Sequence, residues 1–283
     1  MKKDMQPTLG KKNLGHIGFG AMRLPGIRDV PADAELAHSL LSHAVALGAN
    51  VIDTADFYGS GLANRLIAEA LAPHSESLTI ATKVGVKAGA GGRPEPAATP
   101  EEIRKTIDRN LETLGVETLD LVFLRLAGGP LVDSGVAIEE SLVCLANLQQ
   151  QGLVKHIGLS STSAEQLDKA KTVVRIEAVQ NAYFIGNTES RDVLHKCSAE
   201  GIPFFSYFPL GMGKLIQQKT SLVSLAAAHN ATESQIALAW LLALSPMMVP
   251  IPGTSQLKHL QENMAAVDVI LSADEVAALS NVA

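Results

Sequence analysis

Asn50-Val51-Ile52-Asp53-Thr54-Ala55-Asp56-Phe57-Tyr58-Gly59 is the stretch on which the reading of this chain turns. It opens as an apolar strand and closes as a polar loop with two carboxylates and a phenol. Asp53 stands where the apolar run stops, and Tyr58 lies in the loop that follows, just before Gly59. An acid at a strand end and a phenol in the next loop can face one cleft. Taken alone, the stretch reads first as a turn or helix cap, because Asp and Thr often bond to the backbone after a strand. Its surroundings decide between the two.

Outward from it, one pattern repeats. Leu36, Leu40, Leu41, Ala44, Val45 and Leu47 form the apolar side of a preceding helix that Gly48 stops. Leu62–Leu71 is the following helix, and Leu78–Thr82 is a strand that ends at Lys83. A helix from Pro100 to Leu114 leads to the strand Leu119–Leu124 and Arg125, then to a helix over Ile138–Gln151. Val154–Gly158 precedes Ser160 and Ser161, and Ala178–Val179 precedes Gln180 and Asn181. Pro203–Phe205 precedes Tyr207, and Met247–Pro250 precedes Pro252-Gly253 and a helix over Gln256–Ala266. Upstream, residues 8–14 predict a small hairpin, and His16–Phe19 is a short strand before Gly20–Arg23.

About eight strand–helix units with no break in composition predict one domain over residues 1–283. Short apolar strands separated by helices imply parallel pairing buried on both faces. Eight of them predict an α/β fold, a (β/α)8 TIM barrel with an N-terminal β-hairpin. The alternative is an open doubly wound sheet. Its G-x-G-x-x-G phosphate fingerprint follows no strand here.

Composition narrows the function classes. A hydrophobic content of 47 % with 18 % charged residues suits a globular enzyme rather than a disordered chain. A formal charge of −6 gives no footprint for nucleic acid or for an anionic membrane. Met1–Pro7 lacks the apolar core of a secretory signal, and the apolar run Ile236–Leu244 is too short to span a bilayer. Cys144 and Cys197 read as free thiols in a reducing cytoplasm. His38 and His43 have no third ligand in view, so no metal is expected. Nothing marks an oligomeric state.

Barrel active sites sit at the C-terminal ends of the strands. Those ends carry Gly20–Arg23, Asp53, Lys83, Arg125, Ser160 and Ser161, Gln180 and Asn181, Tyr207, and Pro252-Gly253. Charges in the crowded mouth of a barrel cost several kcal/mol unless they pair or serve chemistry. A functional mouth is the better reading.

In this order and spacing the residues resemble the aldo-keto reductases, over nearly the whole chain from Gly18-Phe19-Gly20-Ala21-Met22-Arg23-Leu24 to Glu262-Asn263. Ile52–Gly59 is similar to the family's Asp-to-Tyr segment, Ala81-Thr82-Lys83 to its lysine strand, and Ile157-Gly158-Leu159-Ser160 to its serine strand. Val179-Gln180-Asn181, Tyr207-Phe208-Pro209-Leu210 and Ile251-Pro252-Gly253 match three further positions. The resemblance implies reduction of a small aldehyde or ketone by NADPH, in preference to NADH. Tyr58 would donate the proton, Lys83 would lower its pKa from the free-phenol value of about 10, and Asp53 would pair with Lys83. Asp56 reads as a loop or cap residue.

For the cofactor, Ser160, Gln180 and Asn181 match positions that hold the carboxamide, while Ser161 stands where the family commonly has Asn. Tyr207 would stack on the nicotinamide. Ala21 and Met22 fall in the stretch after the first strand, and Leu210, Gly211 and Gly213 would let backbone approach the pyrophosphate. Gly253, Thr254 and Ser255 precede a helix start, a favourable place for phosphate. Lys258 and His259 would meet the 2′-phosphate and Glu262 and Asn263 the adenine, with His259 standing where Arg or Gln is usual.

One position departs. The family places a His at the end of the fourth strand, and here the run is Val122-Phe123-Leu124-Arg125-Leu126. A guanidinium cannot share in proton transfer, but it can donate two hydrogen bonds to an oxygen or hold an anionic group. Arg125 and the glycine-rich insert after it resemble a branch of the family associated with pyridoxal reduction. Two other readings remain: a nicotinamide-nucleotide-binding sensor with little turnover, and an unrelated barrel enzyme acting on phosphorylated sugars. The second would leave Tyr58, Tyr207 and Gln180-Asn181 without roles. The mouth is expected to be open, with selectivity set by loops at 85–100, 127–137 and 210–220.

Overall fold

Val51 and Ile52 are buried on opposite sides of the strand they share, one against the barrel interior and one against the surrounding helices. That alternation runs through the whole sheet. The computed structural model describes residues 6–27, 30–31, 33–89, 94–126, 136–212 and 220–281. Its strands are β1 Thr8–Leu9, β2 Lys12–Asn13, β3 Phe19–Gly20, β4 Gly26–Ile27, β5 Val30–Pro31, β6 Val51–Asp53 and β7 Thr79–Ala88. They continue as β8 Pro94–Ala97, β9 Leu119–Arg125, β10 Val154–Ser160, β11 Ala178–Ala182, β12 Phe204–Tyr207 and β13 Met248–Pro250. The helices are α1 Ala34–Ala46, α2 Leu62–Leu71, α3 Pro100–Leu114, α4 Ile138–Gln150 and α5 Ala164–Lys171. Then come α6 Arg191–Glu200, α7 Thr220–Ala228, α8 Glu233–Leu244, α9 Leu257–Met264 and α10 Ala273–Ser280.

The wall is the parallel series β3-β6-β7-β9-β10-β11-β12-β13. It closes through two backbone bonds, Gly18 N–H to Pro250 O at 3.0 Å and Gly20 N–H to Pro252 O at 3.1 Å. Only glycine fits this seam. A Cβ on Gly20 would lie 2.8 Å from Ile251 O, and one on Gly253 would lie 2.5 Å from Gly20 O. The expected (β/α)8 barrel is what the chain forms.

Inside the barrel, Val51, Ala81, Leu121, Phe123, Ala178, Phe205, Val249 and Ile251 make one cluster. Phe123 and Phe205 meet edge to face at 5.4 Å, and Gly158 leaves the room that Phe123 needs, since a Cβ there would come within 2.6 Å of its ring. The β1–β2 hairpin adds Leu9 and Leu14 to the same cluster and so plugs the N-terminal end. Asp120 ties the hairpin down, accepting from Lys12 Nζ at 3.1 Å, Lys155 Nζ at 2.9 Å and Ile80 N–H at 3.2 Å. The helices start where the sequence supplies reciprocal caps, at Thr99/Glu102, Ser163/Gln166, Thr232/Gln235 and Ser272/Glu275.

Three expectations change. The segment 85–100 is not a long loop: β7 continues past Lys83 to Ala88 and pairs antiparallel with β8. Val84 and Val86 are buried and carry the strand onward, while Pro94 and Pro96 are tolerated because β8 is an edge strand needing no N–H on its outer side. The last-but-one helix is shorter than expected, ending at Met264 and continuing as a 3-10 turn over Ala265–Asp268. A second small hairpin, β4–β5, follows the turn at Ala21–Arg23. Of the other two expected rim loops, residues 127–135 and 213–219 lie outside the described residues, Gly213 among them. No helix among the described residues is long and apolar enough to cross a membrane.

Candidate active site

Asp53 ends β6 and Lys83 lies on the neighbouring β7, so the parallel register brings their side chains together. Lys83 Nζ donates to both Asp53 carboxylate oxygens and to Thr54 O, each at 2.8 Å. Both residues are nearly inaccessible, at 2 % exposure for Lys83 and 3 % for Asp53. Gln180 Nε2, from β11 across the barrel, donates to Asp53 Oδ1 at 2.7 Å. A buried ion pair holds only with its remaining lone pairs satisfied, and here they are.

Tyr58 reaches the same spot from the loop. The loop turns back on itself, Tyr58 N–H bonding to Ala55 O at 3.0 Å, and this sets Lys83 Nζ 5.2 Å from the ring centroid. The expected drop in the Tyr58 pKa does not occur in the protein alone. Removal from water pushes the phenol above its ordinary value, and the Asp53 charge adds to that rise. The charges of Lys83 and Arg125 pull downward but do not outweigh burial. Asp56, the other carboxylate of the loop, is turned to Arg109 on α3 at 3.4 Å. Burial raises its pKa against the pull of Arg109 and Arg65.

Arg125 ends β9 between two rings, its Cζ 6.0 Å from the Phe57 centroid and 5.8 Å from that of Tyr207. Its Nε is buried without a hydrogen-bond partner. Gly85 lets β7 pass this close, because a Cβ there would lie 2.6 Å from Arg125 O.

A cavity of about 400 Å³ extends from this cluster along the closure seam. It is lined by Asp53, Tyr58 and Tyr207, by Gly20 and Met22 after the first barrel strand, and by Leu210, Gly253, Thr254, Ser255, His259, Glu262 and Asn263 from the C-terminal part of the chain. Ala21 is buried beneath the turn, Gly211 is buried outside the cavity wall, and Lys258 is exposed in an ion pair with Glu262 at 3.8 Å. Ser160 and Gln180 face each other in register on β10 and β11. Ser160 Oγ and Gln180 Oε1 are both buried without a partner. One hydroxyl donor beside one amide acceptor suits a carboxamide, so the residues present fit a nicotinamide nucleotide.

Ser161 adopts the left-handed conformation, with φ 59°, and its Oγ lies 3.2 Å from Tyr207 OH. That backbone is one that Asn adopts more readily than Ser. Asn181 is not turned to the mouth. Its amide accepts from Thr162 N–H at 3.0 Å and donates to Thr162 O at 2.7 Å and Ser190 Oγ at 3.1 Å. Sequence reasoning missed Phe208, Met212, Glu233 and Gln256 in the wall. The Thr232/Gln235 cap signals the start of α8, but no sequence signal says that this start faces the cavity. Phe208 and Met212 have φ of 52° and 54°, strain of the kind that collects at ligand sites.

Comparison with known proteins gives the family. The model of the aldo/keto reductase family matches residues 16–283. Pyridoxine 4-dehydrogenase of Escherichia coli is 43 % identical over 281 residues, covering 97 % of both chains. An NADP(+) aldo-keto reductase of Schizosaccharomyces pombe is 29 % identical, over 93 % of this chain and 87 % of that one. Among solved structures, a thermostable aldo-keto reductase in complex with the inhibitor epalrestat superposes with a TM-score of 0.85 at 26 % identity, covering 98 % of each chain. An aldo-keto reductase of Klebsiella pneumoniae in complex with NADPH shares the fold, with a TM-score of 0.83 at 22 % identity over 98 % of this chain and 94 % of that one. With its barrel, its buried Asp53–Lys83 pair beside Tyr58 and a family match across residues 16–283, this chain belongs to the aldo/keto reductase family, the NAD(P)H-dependent oxidoreductases of carbonyl compounds.

Proposed function

We propose that the chain reduces a small aromatic aldehyde of the pyridoxal class with NADPH, and that Tyr58 supplies the proton. The observation that carries this reading is Lys83, held by Asp53 and Thr54 O and poised beside the Tyr58 ring. When bound, the nicotinamide supplies the hydride. Tyr58 then protonates the carbonyl oxygen, and the Lys83 cation stabilises the phenolate left behind. Ser160 Oγ and Gln180 Oε1 would hold the carboxamide, and Tyr207 would stack on the nicotinamide. Gly20 and Gly253 add no side chains to the cavity, and Thr254, Ser255 and His259 would hold the phosphates. Lys258 and His259 at that end are the residues that would meet the 2′-phosphate of NADPH.

Arg125 sets the substrate class. A hydroxypyridine aldehyde places an anionic oxygen beside the reacting carbonyl, and the guanidinium between Phe57 and Tyr207 offers an unpartnered N–H at that depth. The 43 % identical relative is a pyridoxine 4-dehydrogenase, whose name describes the reverse conversion at a pyridine alcohol. The test compares pyridoxal with benzaldehyde for wild type, Tyr58→Phe and Arg125→His. Tyr58→Phe should lose about 10²- to 10⁴-fold in kcat with both aldehydes. Arg125→His should keep benzaldehyde turnover and lose the preference for pyridoxal. A wild-type enzyme that reduces pyridoxal no faster than benzaldehyde refutes the substrate class, and full activity in Tyr58→Phe refutes the mechanism.

A further inference from the structure

Directly behind the Asp53–Lys83 pair, outside the barrel wall, lie four polar side chains with 0 % exposure: Thr54, Asn64, Thr82 and Asn110. Thr54 follows Asp53 and Thr82 precedes Lys83, so strand alternation turns both hydroxyls away from the barrel axis toward the helices. Thr54 Oγ1 donates to Asn64 Oδ1 on α2 at 2.8 Å. Thr82 Oγ1 donates to Asn110 Oδ1 on α3 at 2.6 Å. The two amides are joined, Asn64 Nδ2 donating to Asn110 Oδ1 at 3.0 Å and to Thr113 Oγ1 at 2.9 Å. Asn110 Nδ2 donates to Thr106 O at 2.8 Å.

Elsewhere this layer between wall and helices is filled by residues such as Ile52, Val122, Leu124 and Ile157. A satisfied polar cluster gives no more burial than such residues would, but it fixes geometry, because each hydrogen bond has a direction and a length. Its geometry bears on the lysine by two routes and on Tyr58 by a third. Thr54 O itself accepts from Lys83 Nζ, and Thr82 is the neighbour of Lys83 on β7. Asn64 sits in the first turn of α2, where Ala63 N–H bonds to Tyr58 O at 3.3 Å.

We propose that Asn64 and Asn110, with the hydroxyls of Thr54 and Thr82, are positioning residues that hold Lys83 at its working distance from Tyr58 and so govern proton delivery. The inference rests on Tyr58 being the proton donor. If the clamp is loosened, the cation drifts from the phenol, and the phenol becomes a poorer acid.

Thr82→Val and Thr82→Ser separate this from packing. Valine keeps the volume and removes the hydroxyl, whereas serine keeps the hydroxyl and removes the methyl. In Thr82→Val, kcat for aldehyde reduction should fall about tenfold. KM should stay within about twofold, and the alkaline limb of the kcat–pH profile should move to higher pH. Thr82→Ser should keep the wild-type profile, and Asn110→Leu should follow Thr82→Val. NADPH binding, read by nicotinamide fluorescence, should match wild type in all of them. An unchanged profile in Thr82→Val overturns the proposal, as does an equal loss in Thr82→Ser. Tyr58→Phe measured alongside keeps the two readings apart. If it is active, the proton-donor role fails; if it is inactive while Thr82→Val is unchanged, only the clamp fails.

Discussion

Lys83 aims its hydrogen bonds at Asp53 and Thr54 O, so its charge is compensated on one side and presented to Tyr58 on the other. For Tyr58 the protein alone leaves burial as the dominant influence, and its phenol titrates above the ordinary value of about 10. The proton donation proposed for Tyr58 needs the protonated form, and a raised pKa keeps the phenol protonated through neutral and mildly alkaline pH. A tyrosinate absorbance titration of wild type minus Tyr58→Phe should place this residue above about 10, and a midpoint near neutrality would contradict it. Asp53 and Lys83 stood out in sequence because each is a charged residue at the close of an apolar run, and Tyr58 because it lies in the loop directly after Asp53. Arg125 was legible for the same reason. The direction of the Tyr58 shift was not, since it depends on how much protein surrounds the hydroxyl. Nor was the turn of Asn181 toward Thr162, which is a choice among tertiary hydrogen-bond partners.

Among the elements, the β1–β2 hairpin shows how a two-residue strand pair can matter. It is held by Leu9 and Leu14 inside the barrel and by Lys12 to Asp120 and Leu78 O outside. Burial alone would raise the Asp120 pKa, but hydrogen bonds from Lys155, Lys12 and Ile80 N–H together hold it below the usual carboxylate range. A depressed folded-state pKa stabilises the native chain above the unfolded value of about 3.9, and that contribution fades as pH falls through the lower folded value. Asp120→Asn should therefore cost about 1–3 kcal/mol in urea unfolding at pH 7. The difference from wild type should shrink at pH below about 3.9, and a constant difference across pH would rule out the charge as its origin. Periodicity revealed the strands and helices, because alternation and 3.6-residue spacing are local. The length of β7 escaped it: glycines and prolines at 85–100 read as a loop until a pairing edge is known.

At the scale of the whole molecule, the barrel seam and the cavity are one feature. Gly20 and Gly253 close the wall and also line the cavity floor. Gly253→Ala would push a methyl to within 2.5 Å of Gly20 O, so the seam must open. The variant should melt several degrees lower than wild type and bind NADPH at least about tenfold more weakly, both read in one thermal-shift series with and without nucleotide. Unchanged melting would show that the seam has slack. The eight-unit rhythm made the barrel legible, but not which two strand ends form its cleft, because residues so distant in sequence carry no mutual signal. The cavity wall comes from residues 20–58 and 207–263, the two ends of the chain. During synthesis, then, the first strands leave the ribosome long before their partners across the seam exist. The cleft is therefore complete only once β13 and α9 have emerged, although one of its walls was among the first parts made.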